Sequence, residues 1–576
     1  MKWISTAMLL AALGCGLSAS RAMAQQGGDP LGFEDLRARM AQQDQEIRRL
    51  QEQVAGLQQG AQQGTPASLA AYSADGAAPA GAGPAGQYPP GSAVVGSDMH
   101  ATASFQDGLF LWVTSPNKDF SCHIGYWMQL DNVWWDEDPS LKSAPVQRKG
   151  PVVSNNGLHQ VAAAGVAGNG IGELEDGCYF RRIRPYLEGT FWETGEYRLI
   201  LALENDTVAT TGLDEFWVGE TKVPVVGSVR IGHVKDPMGL EGDMTSSSRC
   251  MTFMERSCYS EAIELNQNFL TGLWLGNTLA DERVSWQFCA ARADLTSSSG
   301  VFFGDGQGAI QGRITALPIY EDEGRQLLHL GLSLGWRNGA WNGTLPYHLF
   351  QLRARQEMRD DVPGGGATGA DNNRLIDTEA IAAHEEYILG LEALYIRGPL
   401  SVQAEYGYNW IDGAFGILHS GNAKLTPFAA GVQQDYQFNG GYVQVAYTLT
   451  GENRAYDRRL GTLARYYYGI HGPYENSWFT RDADGNLIWT RGAWEVAARY
   501  SYVDLNSGDD PATRVNGGIM NAFTLGVNWY LNNNLNVMFD WIYDQRYAVP
   551  STGTAAAPAT DPGHVNGFGI EVQFQM

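Results

Sequence analysis

The sequence predicts an all-β fold, a transmembrane antiparallel β-barrel, from three observations. The first is the stretch LLHLGLSLGW at 327–336, in which every second residue from Leu328 to Trp336 is large and apolar. A period of two is typical of a strand with one apolar and one polar face. The second is a composition of 70 glycines, 26 tyrosines and 17 tryptophans, which suits small lumen residues and aromatic belts at membrane interfaces. The third is the alternating stretch from Phe568 to Met576.

An apolar strand face also occurs in soluble β-sandwiches, so strand length and the polar face must separate the two folds. The stretches FSCHIGYWMQLDNVW (120–134) and EEYILGLEALYI (385–396) alternate in the same way. Such strands are about nine to twelve residues long, as in membrane barrels, whereas soluble strands average about five or six. The polar faces carry Gly, Ser, Gln and charged residues. We therefore expect lipid on the apolar face and a water-filled lumen on the polar face.

Residues 1–24 predict a signal peptide. Lys2 precedes an apolar run, and Ala22-Met23-Ala24 supplies a small-x-small cleavage site. Lipoprotein processing at Cys15 is an alternative, although Ala12 stands where a larger aliphatic residue is usual. Export and a membrane barrel together predict the outer membrane of a Gram-negative-type bacterium.

Residues 31–58 predict a short coiled coil, and residues 59–105 a flexible linker rich in Ala, Gly and Pro. The barrel is expected to occupy residues 106–576. The coiled-coil seam consists of Phe33, Leu36, Met40, Gln43, Ile47, Leu50, Val54 and Leu57. We expect this helix to lie in the periplasm and to hold a homo-oligomer, with a trimer as the hypothesis. A lone amphipathic helix is the alternative.

The charge and the motifs exclude several classes of function. A formal net charge of -24 argues against nucleic acid, which requires basic stripes. Seven of the 39 basic residues are lysines, and the arginine excess suits planar contacts to oxyanions, although ion pairs within a lumen use arginine too. The absence of HExxH and of histidine pairs at ligand spacing predicts no enzyme, no metal and no cofactor. Cys250 and Cys258 are close enough in sequence to form a disulfide, and their pairing stays open.

Five stretches, in order, resemble the phosphate-selective porin O and P family of outer-membrane channels. They are RIGHVKDPMGLE (230–241), TFMERS (252–257), LTGENRAY (449–456), GAWEVAARYSYVDL (492–505) and TLGVNWYLNNN (524–534). The resemblance implies a sixteen-stranded barrel, a trimer in outer-membrane lipid, and a pore narrowed by inward-folded loops. It also implies a water-filled diffusion channel for small ions or solutes, phosphate and other anions among them. The acidic net charge departs from the positive rings of phosphate-selective members, so selectivity stays open. The alternative function is a structural tether, with the coiled coil reaching the cell wall.

The connection from Asp236 to Asn268 is the candidate constriction, because an irregular connection of this length is often functional and the family's lumen-folded loop falls here. Alternation places Arg182 and Arg184 on one polar strand face, and stacked arginines can replace an oxyanion's hydration with bidentate hydrogen bonds. Lys235 matches a lysine position of the family. The candidate pore residues are Arg182, Arg184, Arg198, Arg230, Lys235, Arg249, Arg256 and Arg499. Two alternatives stay open: each arginine pairs with a lumen carboxylate, or the connection is an extracellular loop that caps the trimer.

Overall fold

The structure is a computed structural model that covers most of the predicted barrel. It describes residues 100–106, 110–115, 119–142, 144–145, 167–168, 170–204, 212–247, 250–264, 269–292, 308–338, 349–359, 374–418, 425–464, 478–482, 484–510, 512–547 and 562–576. The predicted signal peptide, the predicted coiled coil and nearly all of the predicted linker lie outside the described residues, as does Arg249.

Sixteen antiparallel strands form a closed barrel. They are β1 (Phe120–Glu137), β2 (Gly177–Phe191), β3 (Gly195–Ala202), β4 (Gly212–Val223), β5 (Gly227–Lys235), β6 (Phe269–Leu279), β7 (Val284–Arg292), β8 (Gly308–Glu321), β9 (Gln326–Asn338), β10 (Glu385–Arg397), β11 (Leu400–Ala414), β12 (Gln434–Thr448), β13 (Ala493–Ser507), β14 (Val515–Tyr530), β15 (Leu535–Tyr547) and β16 (Gly563–Gln575). Each strand pairs with the next, and β16 pairs with β1. Closure leaves no barrel edge in lipid, as a membrane-spanning sheet requires. The predicted fold and strand number are confirmed.

A short hairpin precedes the barrel, with strands Thr102–Gln106 and Phe110–Thr114. Its second strand pairs with 121–124 of β1, whereas β16 pairs with β1 only from Trp127 onward. The hairpin therefore covers the part of the β1 edge that β16 does not reach. The first hairpin strand begins at Thr102, within the stretch 59–105 that was predicted to be a linker. Five-residue strands give too short an alternation to be seen in the sequence.

The apolar face of the strands points outward. In β9, Leu334 is 44% exposed, whereas the neighbouring Ser333 is 0% exposed. Strand β14 repeats this arrangement, with Leu525 exposed and Thr524 buried. The apolar side chains thus form the outer belt and the polar side chains face the interior, which confirms the predicted orientation of the two faces.

Short turns join the strands at one rim, and long connections join them at the other. The turns at 192–194 and 224–226 contrast with the connections 236–268 and 339–384. In bacterial barrels the short turns face the periplasm. The connection 449–492 is long although it leaves from the short-turn rim. No helix in the described part of the chain is long and apolar enough to cross a membrane.

The described parts of the connections contain short elements. Helical turns are Gly239–Met244, Ser260–Glu264 and Asp322–Gly324, and short strands are Ala144–Pro145, Ala167–Gly168, Leu349–Phe350, Arg353–Ala354, Ile376–Asp377, Ala380–Ala382, Gly416–Leu418, Leu425–Pro427, Tyr456–Asp457, Thr462–Leu463, Phe479–Arg481 and Leu487–Trp489.

Candidate pore and its constriction

Three segments fold into the barrel interior. The first inward segment comprises 236–247 and 250–264, the second comprises 349–359 and 374–382, and the third is 449–464. Tyr259 of the first segment is completely buried and packs near Tyr442 of β12. The candidate constriction is therefore inside the barrel over its described residues. The third segment contains the LTGENRAY stretch, whose inward course was not predicted.

Glycines on the inner wall allow the first segment to approach the strands closely. An added Cβ at Gly407 would lie 2.5 Å from the Tyr259 hydroxyl oxygen, and one at Gly526 would lie 2.9 Å from the Phe253 ring. Atoms at these separations would overlap, so the wall needs glycine where an aromatic ring of the segment packs. Part of the high glycine content thus makes room for the inward segments.

Carboxylates of the barrel wall bind the backbone of the inward segments. Glu405 of β11 accepts hydrogen bonds from the amides of Leu240 and Glu241, the second at 2.8 Å. Asp540 of β15 accepts one from the amide of Met254 at 2.7 Å. Buried backbone donors of the segment thus find hydrogen-bond partners on the barrel wall. Some of the acidic excess of this chain therefore serves to hold loops inside the barrel.

Arg499 of β13 joins the first and second inward segments to the wall. Its Nη2 lies 2.7 Å from Oε2 of Glu357, and its Nη1 lies 3.1 Å from Oε1 of Glu241. The guanidinium carbon stands 4.6 Å from the centre of the Phe253 ring. Arg499 faces inward as predicted, but it is buried in this joint. The guanidinium thus links two inward segments to β13, and a role of Arg499 in the pore wall stays a prediction.

Arg184 and Arg198 lie on the inner wall of β2 and β3, and both pair with carboxylates. Arg184 is 2.8 Å from both Glu204 and Asp214. Arg198 is 2.6 Å from Glu188, and its side chain remains 30% exposed. The alternative interpretation, in which each arginine pairs with a lumen carboxylate, describes both residues.

Arg230 of β5 is held between two indole rings. Its guanidinium carbon lies 4.2 Å from the centre of Trp217 and 4.5 Å from that of Trp274, and it pairs with Glu196 at 3.3 Å. Stacking on aromatic faces fixes the plane of a guanidinium. Lys235 is the last residue of β5 and is half-buried.

A β-bulge places two consecutive arginines of β2 inside the barrel. Gln129 of β1 pairs with Arg182, but the next residue, Leu130, pairs with Phe180, so Arg181 is the extra residue. A bulge re-aims side chains relative to strict alternation. Alternation alone therefore missed Arg181, although the run Arg181-Arg182-Ile183-Arg184 was visible in the sequence.

Arg181, Arg182 and Arg359 surround Glu255 of the first inward segment; we call these four residues the Glu255 cluster. Arg181 donates to both carboxylate oxygens, with Nη2 at 3.3 Å from Oε2. Nε of Arg359 is 3.5 Å from Oε1. Burial raises the pKa of Glu255, but Arg181, Arg359 and Arg182 outweigh burial and hold that pKa well below its usual value. The carboxylate is thus stabilised in its ionised form.

Arg182 is the most deeply buried arginine of the Glu255 cluster. Its Nη1 donates to Oε1 of Gln129 at 2.6 Å, and the amide of Gln129 donates to Glu571 at 3.2 Å. In the described part of the chain Arg182 makes no ion pair within 4.0 Å, and its Nε has no hydrogen-bond partner. Arg256 is close enough to interact electrostatically with Arg182. Its Nε donates to the carbonyl of Glu241 at 3.0 Å.

Comparison with known proteins assigns the sequence to a family. A sequence model of the family described as phosphate-selective porin O and P matches residues 167–575. The chain belongs to that family. Porin O of Pseudomonas aeruginosa is 28% identical over 385 residues, which cover 64% of this chain and 76% of Porin O. A Caulobacter vibrioides protein is 26% identical over 400 residues, covering 68% and 66% of the two chains. Family membership and the closed barrel identify an outer-membrane porin.

Solved barrels align with this porin at low sequence identity. The outer membrane protein OmpT of Vibrio cholerae, with loop L8 deleted, has a TM-score of 0.41 at 10% identity, covering 80% of the porin chain and 100% of OmpT. Salmonella typhi OmpF has a TM-score of 0.37 at 11% identity, with coverages of 80% and 99%.

The pKa values of two glutamates in the first inward segment are shifted in opposite directions. Burial raises the pKa of Glu261, but Arg355 and Arg374 outweigh burial and lower that pKa to about 2. The Glu261 carboxylate is therefore ionised at neutral pH and links the first and second segments of the porin. Burial raises the pKa of Glu264 well above its usual value, and the nearby Glu405 adds to the effect. Protonation relieves the repulsion between these two carboxyl groups.

The first inward segment contains two of the cysteines. Cys250 and Cys258 are buried thiols and do not form a disulfide with each other. Within the described ranges, no three His, Cys, Asp or Glu side chains are grouped in a way that could hold a metal ion.

Proposed function

We propose that this porin forms a water-filled diffusion channel for small ions and solutes, and that oxyanions, phosphate among them, bind in passage at the Glu255 cluster. One observation carries the oxyanion part of the proposal. Arg181 and Arg359 both contact a single carboxylate, and the buried Arg182 adds a third positive charge beside it. Guanidinium groups in this arrangement bind two-oxygen anions with charge-assisted hydrogen bonds.

The solute path is proposed to run beside β2–β5. Inward-facing residues there keep some exposure, as Arg198 does, whereas Ser501 of β13 and Thr524 of β14 are completely buried under the inward segments. Water and ions are therefore expected to pass on the β2–β5 side. Arg184, Arg198 and Arg230 along this wall pair with carboxylates. The wall thus supports hydration of the path without a ring of uncompensated positive charge, and we expect modest anion selectivity.

The test is a planar-bilayer measurement on the purified full chain. We expect single-channel conductance in KCl, a reversal potential across a KCl gradient with an anion-preferring sign, and a chloride current that phosphate reduces reversibly. Each feature follows from a hydrated lumen with a positive site at its constriction. Absence of conductance would favour the structural tether. A cation-preferring sign would exclude phosphate uptake while leaving the channel intact.

We further propose a homotrimer in outer-membrane lipid, with the predicted coiled coil 31–58 in the periplasm contributing to assembly. The support is the heptad pattern of 31–58 and the membership in a porin family. Deletion of 31–58 should weaken the oligomer on native gels, and an unchanged oligomer would remove the coiled coil from this role.

A further inference from the structure

We propose that Glu255 is an internal counter-anion of the pore: its carboxylate occupies the position that a permeating oxyanion takes, and an anion passes by displacing it. This inference rests on the proposed channel function and extends it, because it states which anions compete with the Glu255 carboxylate for the arginines. The determining feature is a tethered carboxylate within an arginine site, in place of an empty positive ring.

The backbone around Glu255 is fixed, so that only its side chain needs to move. The amide of Met254 is bound to Asp540 at 2.7 Å, and the carbonyl of Glu255 itself accepts from Nη2 of Arg499 at 3.1 Å. The amide of Ser257 is bound to Glu241 at 2.9 Å. A rotamer change of Glu255 can therefore withdraw its carboxylate from Arg181 and Arg359 while the segment stays docked. Side-chain rotations of this kind are fast compared with loop movements.

The site is reachable from the lumen. The Arg359 side chain is 26% exposed, and the side chains of Arg181 and Glu255 also keep some exposure. On the wall side, Arg182 reaches Glu571 through the neutral amide of Gln129. Arg182 is thus held on the wall side by a strand residue, while Arg181 and Arg359 contact the Glu255 carboxylate.

The geometry selects a chemical class of solute. Arg181 holds Glu255 by a two-oxygen fork, with Nε and Nη2 donating to different oxygens. Phosphate, sulfate and small carboxylates can reproduce that fork, whereas chloride offers a single centre. Oxyanions are therefore the solutes that can displace Glu255, and chloride is expected to pass without retention.

The test is phosphate block of the chloride current in Glu255→Gln, with Glu193→Gln as the matched control. Glu193 lies in the exposed turn 192–194, and its substitution removes the same charge without touching the cluster. In Glu255→Gln the competing anion is absent, so the half-blocking phosphate concentration should fall about tenfold, the scale of one charge-assisted hydrogen bond. Glu193→Gln should leave it unchanged. Equal half-blocking concentrations in the two variants would overturn the proposal.

Two further variants separate displacement from loss of the segment. Glu255→Asp keeps the charge and should keep a phosphate block close to that of the wild type. Arg499→Met, which releases the segments that carry Glu255 and Arg359 and so dismantles the site, should weaken the phosphate block. A block as tight as that of Glu255→Gln would show that the effect is structural, and the proposal would fail. A wild-type protein that conducts and is blocked by phosphate, with Glu255→Gln unaltered, would reject this inference alone. A wild-type protein without conductance would reject the channel itself.

Discussion

Arg499→Met is expected to release the first and second inward segments from the barrel wall and to increase the single-channel conductance. Arg499 is buried and bridges Glu357 and Glu241, which belong to different segments. Removing one partner of a buried ion pair costs about 3–5 kcal/mol, because the remaining charge stays buried without compensation. Two carboxylates lose their cation here. Conductance in KCl and trypsin cleavage within the segments would measure the release.

A control substitution of another arginine distinguishes the loss of the Arg499 contacts from the general loss of one positive charge. Arg325 lies in a turn, is partly exposed and stands 3.9 Å from Asp322, so Arg325→Met should change neither readout. Adding Glu357→Gln to Arg499→Met should restore part of the docking, since neutral groups replace both members of one pair. Wild-type conductance and protease resistance in Arg499→Met would show that the segments are held by other contacts.

The orientation of the strands was predictable because alternation depends only on the pleat of each strand. Leu334 and Ser333 belong to opposite faces whatever their neighbours, and a closed barrel leaves one face for lipid. Lipid and lumen therefore follow from the local sequence. The strand number came from the family resemblance, since alternation indicates strands without fixing how many of them close the barrel.

The interior could not be predicted in the same way, because it depends on which side chains meet across the lumen. Arg499 and Glu357 are 142 residues apart, and nothing in either local pattern relates them. Strict alternation from Arg182 leaves Arg181 out of the inward set, whereas the bulge in β2 brings it inside the barrel. Sequence alternation identifies inward residues, whereas partners require the register and the course of the loops.

The acidic net charge has a different meaning in the structure than in the composition. Carboxylates in outer loops would repel anions through their long-range field. Glu405 and Asp540 instead lie on the inner wall and accept backbone amides of the first inward segment, and Glu188 and Glu204 neutralise wall arginines. These acids act at hydrogen-bond range, so the net charge of the chain is a poor guide to the sign of its selectivity.

Leu332→Arg is expected to destabilise the barrel strongly, because it places a charge in the middle of the lipid-facing belt. Leu332 is central in β9 and pairs with Ile314 and Leu391, which are both exposed on the outer surface. Arginine on the lipid face of a membrane barrel costs about 2–4 kcal/mol at the bilayer midplane and about 0–1 kcal/mol near the interfaces.

Leu328→Arg is the matched control, because Leu328 has the same orientation but lies close to the turn 322–325. Reversible unfolding from phospholipid vesicles would give both free energies. The depth dependence is the decisive result: a large loss for Leu332→Arg and a small one for Leu328→Arg require hydrocarbon against this face, whereas equal losses would indicate a protein core that excludes charge along the whole strand.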